Sequence, residues 1–229
     1  MDLKNFEKKI GITFKNKGLL QQAFVHRSYI NENKDSGLAH NERLEFLGDA
    51  VLELVTTEFL YAKFPTKTEG DLTSYRSALV NTTTISHIAS GLKMNDYLLL
   101  SKGETKDMGR ARQYILANTF EAFIGAVYLD QGYEFSKKFI AENLFPIVDK
   151  VVNDNLWRDA KSLLQEKSQA DLKLTPNYKL LSEKGPDHKK VFTIGVYFGD
   201  EEIAEGEGFS KQEAEVVAAQ KALNKKGWS

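Results

Sequence analysis

The chain has 229 residues, of which 41% are hydrophobic and 28% are charged, and its formal net charge is −1. This composition is typical of a globular protein with one or two domains and excludes the disordered class. The absence of cysteine excludes disulfide bonds, thiolate metal sites and a cysteine nucleophile. No apolar run is long enough for a signal peptide or a membrane-spanning helix, so we expect a cytoplasmic protein without a membrane partner.

Residues 1–150 are predicted to form an all-helical domain. Apolar residues recur there at helical spacing, and glycine or polar clusters separate the periodic segments. The predicted loop "SKGETKDMGRAR" carries Arg110 and Arg112, which suit either phosphate contact or a solvated loop. Helices are predicted over residues 3–10, 17–24, 41–63, 69–80, 82–91, 94–99, 111–131 and 134–149.

The sequence pattern changes after residue 150. Residues 151–158 contain a polar stretch and are predicted as a linker. Residues 159–229 hold three runs of alternating polar and apolar residues, "NYKLLSEKG", "KKVFTIGVYFGD" and "EIAEGEGFS", between two helical segments, about 159–172 and 210–225. The predicted fold is therefore mainly α, with an all-helical domain followed by a small α-β-β-β-α domain.

An acidic face runs along the predicted helix 41–63. Glu42, Glu45 and Asp49 fall on one arc of this helix, and Glu45 and Asp49 lie one turn apart, where like charges repel. A solvated acidic surface and a cation-binding face both fit this pattern. The core stripe is predicted on another side, formed by Leu44, Leu47, Val51, Leu54 and Val55.

A second polar face lies on the predicted helix 111–131. Asn118, Glu121, Ala122 and Gly125 share this face, and the two small residues allow another helix to approach closely. A carboxylate in so apolar a segment is costly unless it is paired. Two helices that both offer oxygen ligands suit Mg²⁺, an ion that can activate water and stabilise charge on a phosphoryl group.

The string "NERLEFLGDAVL", residues 41–52, closely resembles the signature segment of the ribonuclease III family. Three further segments resemble the same family: "HRS" at 26–28, "EGDLTSYRSALV" at 69–80 and "KGETKDMGRARQYILANTFEAFIGAVYLDQG" at 102–132. From residue 159 onward the chain resembles a double-stranded-RNA-binding domain. The resemblance covers nearly the whole chain, in the order expected of a bacterial ribonuclease III.

This resemblance implies an endonuclease that cuts double-stranded RNA as a homodimer and depends on Mg²⁺, with Mn²⁺ as a possible substitute and no small-molecule cofactor. Bacterial members mature ribosomal RNA precursors and process structured transcripts. By residue match, Glu45, Asp49, Asn118 and Glu121 are expected at the metal. Asp49, which orients the attacking water, and Glu121 are the expected catalytic residues. Further acids of the cleft are expected at Glu42 and Glu69.

Asn118 departs from the family pattern, because most members carry aspartate at this position. Asparagine keeps one carbonyl oxygen for a cation, adds an NH₂ donor and removes one negative charge. Three interpretations follow: an active natural variant, an engineered substitution that traps an inactive complex, or an attenuated protein that binds RNA more than it cuts it. The alternative function is therefore a dimeric double-stranded-RNA-binding protein.

Phe46 lies beside Glu45 and away from the predicted core stripe. An exposed phenylalanine on a monomer suggests a contact surface, so we predict that Phe46 packs at the dimer interface. The alternative is a small core contact beneath an N-terminal helix.

The resemblance also implies three groups of RNA contacts in residues 159–229. Duplex RNA is recognised by shape, across two minor grooves and the phosphates between them. Gln165 and Gln169 are expected in the first groove, and His188 and Lys189 of the loop "GPDHKK" in the second. Lys211, near the start of the last helix, is expected at the phosphates.

Three further features bear on the expected RNA contacts of this domain. Gln212 stands where the family commonly has a second lysine, which predicts weaker phosphate binding and a flatter salt dependence. His188 taken alone would fit a plain surface histidine equally well. The acids of residues 200–207, "DEEIAEGE", are predicted to face away from RNA.

Overall fold

The computed structural model describes residues 3–106, 109–153, 157, 159–186 and 190–228. The chain divides into two compact units, Met1–Trp157 and Arg158–Ser229. His188 and Lys189, which we predict to contact RNA, lie outside the described residues.

The regular elements in the described residues of the first unit are all helices, and one isolated β-bridge joins Val25 to Leu99. Three short 3₁₀ turns, Lys34–Ser36, Met94–Tyr97 and Phe145–Ile147, join its helices. The α-helices are α1 (Leu3–Ile10), α2 (Lys17–Ala23), α3 (Arg27–Glu32), α4 (Glu42–Lys63), α5 (Glu69–Leu79), α6 (Thr82–Gly91), α7 (Lys102–Lys106), α8 (Arg110–Gln131), α9 (Tyr133–Leu144) and α10 (Val148–Asn153).

The differences from the predicted helices have local causes. The helices α3 and α7 are only six and five residues long and arise where we predict none. His26 caps α3 by accepting the Ser28 N–H, a polar signal that apolar periodicity does not detect. The predicted helix 94–99 is a single 3₁₀ turn, and the predicted helix 134–149 is interrupted near Pro146, which cannot donate a helical hydrogen bond.

The centre of the first unit is the pair α4 and α8, which pack along each other. Helix α8 is buried on nearly all sides, as expected of a central helix. Its Phe123 meets Phe6 and Phe24 in an aromatic cluster, with ring centres 5.5 Å apart for Phe6 and Phe123. Consequently the polar side chains of α8 project from a helix that apolar packing holds in place.

Leu54 is not part of the core stripe that we predict on α4, because 52% of its surface is exposed. Leu44, Val51 and Val55 are buried as predicted, whereas Leu47 is half-buried. Leu54 lies two turns beyond Phe46, at the edge of the stripe, where no helix of the described chain covers it. Two leucines of the stripe are therefore open to solvent on the side of Phe46.

Helix α10 extends into the segment 151–158 that we predict as a linker. Val151 is buried, and Trp157 packs edge-on against Tyr75 with ring centres 4.8 Å apart. The apolar residues Val148 and Val151 explain this, because their spacing of three forms one buried helical face. The first unit therefore uses apolar residues on both sides of residue 150.

The second unit has the predicted α-β-β-β-α order, which confirms the mainly α fold class. Its strands form one antiparallel sheet in the order β1-β2-β3, with α11 and α12 packed together and against the sheet. Leu164, Val196 and Ala218 lie in its core. The elements are α11 (Ala160–Leu172), β1 (Pro176–Lys184), β2 (Val191–Phe198), β3 (Glu201–Gly208) and α12 (Lys211–Lys226). Across the described parts of both units, every helix is too short or too polar to cross a membrane.

Candidate active site

Gly48 of α4 and Gly125 of α8 bring the two helix backbones into direct contact. A Cβ atom on Gly48 would lie 1.7 Å from the carbonyl oxygen of Glu121, and a Cβ on Gly125 would lie 2.2 Å from that of Leu44. Neither distance is possible for real atoms, so only glycine fits at these two positions. The two backbones therefore touch at this crossing, which fixes the positions of the polar side chains beside it.

The three acidic residues predicted at the metal lie at this crossing. Glu45 and Asp49 flank Gly48 on α4, and Glu121 lies one turn before Gly125 on α8. Burial is the main cause that raises the pKa of Glu121 to about 8, and the charges of Asp49, Glu45 and Glu53 contribute to the same rise. Desolvation at the crossing also raises the pKa of Asp49, with the charge of Glu53 as a second cause. The structure thus concentrates negative charge around Glu121.

Asn118 lies one turn before Glu121, and its side chain is hydrogen-bonded to that of Glu45. Because an ionised carboxylate has no proton to donate, the Asn118 NH₂ group is the donor. Burial and the neighbouring acids Glu42 and Asp49 raise the pKa of Glu45, and this hydrogen bond opposes that rise. An aspartate at position 118 could not make the bond while ionised, so the amide changes how Glu45 is held.

The two supporting acids lie in different surroundings. Glu42 is exposed, with one carboxylate oxygen 3.2 Å from an Arg27 guanidinium nitrogen and the other 3.6 Å from His40 Nδ1. Glu69, in the first turn of α5, accepts a hydrogen bond from Thr73 and lines a cleft of about 420 Å³ with Tyr61. Because Tyr61 is twelve residues beyond Asp49 on α4, this cleft is on the order of 18 Å from the crossing. Of these two acids, Glu42 is the one that raises the pKa of Glu45.

The two arginines before α8 have different roles in the structure. Arg112 is buried and donates hydrogen bonds to the carbonyl oxygens of Glu104 and Thr105, at 2.6 and 3.2 Å. The phosphate contact considered for Arg112 is therefore wrong, because its guanidinium group anchors α7. Arg110 is exposed, and a phosphate contact stays a prediction for this residue.

Phe46 projects from α4 with 82% of its surface exposed. The alternative that Phe46 fills a small core beneath an N-terminal helix is therefore wrong for the described residues. Tyr61 and Leu54, at 75% and 52% exposure, lie further along the same general side of the helix. These three side chains form an apolar strip, here called the α4 strip.

The described RNA-contact candidates are on the surface of the second unit. Gln165 and Gln169 are exposed on α11, whereas Leu164 and Ser168 beside them are buried. Lys211 is exposed in the first turn of α12, whose cap is Ser210.

The acids of strand β3 lie on the opposite face of the sheet from the helices. Glu202, Glu205 and Glu207 are exposed, and in the register of the sheet they pair with Tyr197, Gly195 and Thr193. The helices instead cover the face that bears Val196 and Ile203. Strand β3 therefore contributes three carboxylates to the surface opposite the helices.

Both units match known protein families over most of their length. Residues 16–148 match the Ribonuclease-III-like family model, and residues 160–226 match the double-stranded RNA binding motif. The chain belongs to the ribonuclease III family. The first match includes the helix crossing, and the second includes all five elements of the smaller unit.

Relatives of the ribonuclease III family match along nearly the whole chain. Ribonuclease 3 of Geobacillus thermodenitrificans is 48% identical over 95% of this chain and 88% of its own length. Ribonuclease 3 of Protochlamydia amoebophila is 47% identical over 96% of this chain and 90% of its own. The nuclease domain of Campylobacter jejuni ribonuclease III, whose structural study concerns a region involved in dimer formation, superposes with a TM-score of 0.57. It is 41% identical and covers 64% of this chain and 100% of that domain.

The residues at the crossing fit the Mg²⁺ ion that ribonuclease III membership implies. Three carboxylates and the Asn118 carbonyl are the hard oxygen donors that Mg²⁺ prefers. In the described parts of the chain, no three acidic or histidine side chains are gathered closely enough to hold an ion by themselves. Mg²⁺ keeps several water ligands and commonly takes only one or two protein carboxylates, so this open arrangement suits it.

Gly48 and Glu53 are functional candidates that the sequence analysis missed. A glycine inside a helix costs about 1 kcal/mol relative to alanine, and so its presence in the middle of α4 was a usable signal of close approach. Glu53 lies one turn beyond Asp49 and raises the pKa of both Asp49 and Glu121. Its continuation of the acidic spacing was also visible in the sequence.

The raised pKa of Glu121 gives a testable pH dependence of stability for the metal-free protein. An unfolded glutamate has a pKa near 4.3, so between roughly pH 4.3 and pH 8 the folded state binds more protons than the unfolded state. The free energy of unfolding is therefore expected to fall as pH rises through this window. Thermal unfolding in EDTA should show a shallower decline for Glu121→Gln, and equal declines in both proteins would contradict this origin.

Proposed function

We propose that this chain is an Mg²⁺-dependent endonuclease that cleaves double-stranded RNA and leaves 5′-phosphate and 3′-hydroxyl ends. Mn²⁺ would serve as a substitute ion. The enzyme would work in the cytoplasm as a homodimer, on ribosomal RNA precursors and other structured transcripts. Membership of the ribonuclease III family, together with the double-stranded RNA binding motif, supports the reaction and its substrate class.

The close crossing of α4 and α8 is the observation that carries this proposal. It holds Glu45, Asp49 and Glu121 in one electrostatic cluster, although Asp49 disfavours ionisation of Glu45 and both of them disfavour ionisation of Glu121. A protein that only needed a stable fold would gain nothing from this arrangement. Charge clusters that are costly to the fold are typical of functional sites.

The side chains at the crossing would have different roles in hydrolysis. Glu45, Glu121 and the Asn118 carbonyl would hold the metal, with Asp49 bound directly or through water. Mg²⁺, when bound, supplies positive charge that activates water and stabilises the charge developing on the phosphoryl group. Asp49 would orient the water that attacks phosphorus as the bond to the 3′ oxygen breaks. Glu42 would act beside this centre without direct contact with the metal, whereas Glu69 would act from the separate cleft that it lines with Tyr61.

The second unit would deliver the duplex to the first. Gln165 and Gln169 would enter one minor groove, His188 and Lys189 the next, and Lys211 would meet the phosphates between them. The exposure of the two glutamines and of Lys211 supports this arrangement. The acidic face of β3 supports a single docking face, because it would repel the RNA backbone.

Cleavage of a long RNA duplex tests the proposed function directly. The purified protein, with and without Mg²⁺, is expected to leave the RNA intact without the ion and to convert it to short duplexes with it. The 5′ ends should be ligatable without prior phosphorylation. If RNA is bound but stays intact across a range of Mg²⁺ and Mn²⁺ concentrations, the nuclease proposal is wrong.

The second candidate function is RNA binding without cleavage, and Asn118 is the observation that favours it. The amide removes a negative charge from the centre and is engaged with Glu45. Comparison with Asn118→Asp separates the two functions. An active wild type supports the nuclease. An inactive wild type that gains cleavage through Asn118→Asp supports the binding protein.

Loss of Phe46 is expected to dissociate the proposed homodimer. The α4 strip is the kind of exposed apolar surface that marks protein contacts, and burial of a phenylalanine stabilises an interface by roughly 1.5–3 kcal/mol. Phe46→Ala should shift the protein from dimer to monomer in sedimentation experiments at micromolar concentration. Phe209→Ala, which removes an exposed phenylalanine from the other unit, is the matched control. A dimer that persists in Phe46→Ala would place the interface elsewhere.

A further inference from the structure

One carboxylate in the second unit lies between two lysines from different elements. Glu183, near the end of β1, has Oε2 3.3 Å from Lys190 Nζ and Oε1 4.0 Å from Lys211 Nζ. Lys190 immediately precedes β2, and Lys211 begins α12. Glu183 therefore connects the β1–β2 loop to the start of the last helix.

These two lysines form part of a surface suited to an anion. The N-terminal end of α12 carries a partial positive charge, because its first N–H groups have no partner within the helix. Lys211 Nζ also lies 6.0 Å from the centre of the Phe192 ring, near the start of the strand that Lys190 precedes. Both lysines and Glu183 remain accessible, with 33% to 60% of their side-chain surfaces exposed. A polyanion could therefore reach the position that Glu183 now occupies.

We propose that Glu183 is a built-in counter-ion of the RNA-binding surface: it holds Lys190 and Lys211 in the free protein, and a backbone phosphate replaces it when duplex RNA binds. This inference rests on the proposed RNA binding and adds Lys190 to its phosphate contacts. The exchange is feasible because accessible ion pairs are weak and are readily screened. Glu183 keeps the two lysines close together before binding, and it opposes the phosphate through like charge.

Neutralisation of Glu183 tests the exchange in the full-length protein. Binding of a fluorescent RNA duplex is measured by anisotropy in EDTA, which prevents cleavage, at several salt concentrations. Glu183→Gln is expected to bind about 3- to 10-fold more tightly at about 0.1 M salt, since this carboxylate no longer competes with phosphate for the two lysines. The slope of log affinity against log salt should steepen by about 1. The matched control is Glu205→Gln, which removes an exposed carboxylate from the opposite face and should change affinity less than about 2-fold.

Lys190→Gln provides a second test that does not depend on the first variant. It should weaken binding and flatten the salt slope by about 1, and its effect should be larger in the Glu183→Gln background than in the wild type. The inference is wrong if Glu183→Gln binds no more tightly than Glu205→Gln, or if Lys190→Gln leaves affinity unchanged. If either result is obtained while the wild-type protein still binds duplex RNA, the inference fails and the proposed function stands. If the wild-type protein does not bind duplex RNA, both the inference and the proposed function are wrong.

Discussion

Replacement of Glu121 by glutamine is expected to abolish cleavage while leaving duplex RNA binding unchanged. Glutamine preserves the shape of the side chain and removes the charge at the centre of the carboxylate cluster. Loss of one group that stabilises the transition state commonly lowers kcat by about 10²–10³-fold, and we expect at least this for Glu121. The binding surface of the second unit is untouched, so affinity for RNA in EDTA should stay within about 2-fold.

Glu53→Gln is the matched control for Glu121→Gln. Glu53 contributes to the same electrostatic field but is not among the proposed metal ligands. Its replacement should lower cleavage by less than about 5-fold, since it removes a field effect and no ligand. Similar losses in the two variants would show that negative charge in general, and not a ligand at position 121, supports the reaction. Full activity of Glu121→Gln would show that Glu121 is not needed for cleavage.

Gly48→Ala is expected to damage both the fold and the active site of the first unit. The new methyl group would fall 1.7 Å from the Glu121 carbonyl oxygen, so α4 and α8 would have to move apart. Overpacking of this kind costs about 1–3 kcal/mol, and more where the obstacle is backbone. Displacement of Glu121 by about 1 Å relative to Asp49 would lower the cleavage rate by about 10²-fold.

Alanine substitutions of two other glycines serve as comparisons for Gly48→Ala. Gly125→Ala meets the Leu44 carbonyl oxygen and should cause a similar loss of stability and activity. Gly91→Ala, at the end of α6, meets no atom within 4 Å and should be neutral or stabilise by roughly 0.5–1 kcal/mol. Thermal unfolding and a cleavage assay on the three variants check these expectations. If Gly48→Ala behaves like Gly91→Ala, the helices are not in the close contact described.

The architecture was predictable where sequence periodicity is strong. The long helices α4 and α8 and the three strands occur within one or two residues of their predicted positions, because their apolar faces repeat many times. The helices α3 and α7 were not predicted, because a helix of one or two turns contains too few apolar residues to show a periodic pattern. Leu54 was assigned to the core because a stripe read from one helix does not reveal which of its edges a neighbour covers.

The candidate active site was predictable to the level of residue identity but not of geometry. The spacing of Glu45 and Asp49 and the polar face with Asn118 and Glu121 predicted which side chains would be proposed as the metal centre. That Asn118 is hydrogen-bonded to Glu45 depends on the separation of α4 and α8, which no single helix encodes. Arg112 is a comparable case, because its burial follows from the position of α7.

The measurement that tests the metal centre most directly is the calorimetric titration of Mg²⁺ into the protein in buffers of different ionisation enthalpy. Glu121, with a pKa of about 8, is mainly protonated at pH 7 without metal, so binding should release about one proton. Wild type is expected to bind Mg²⁺ with this release, and Glu121→Gln to lose both the binding and the release. Binding that releases no proton, or that survives Glu121→Gln unchanged, would contradict a metal centre at the crossing of α4 and α8.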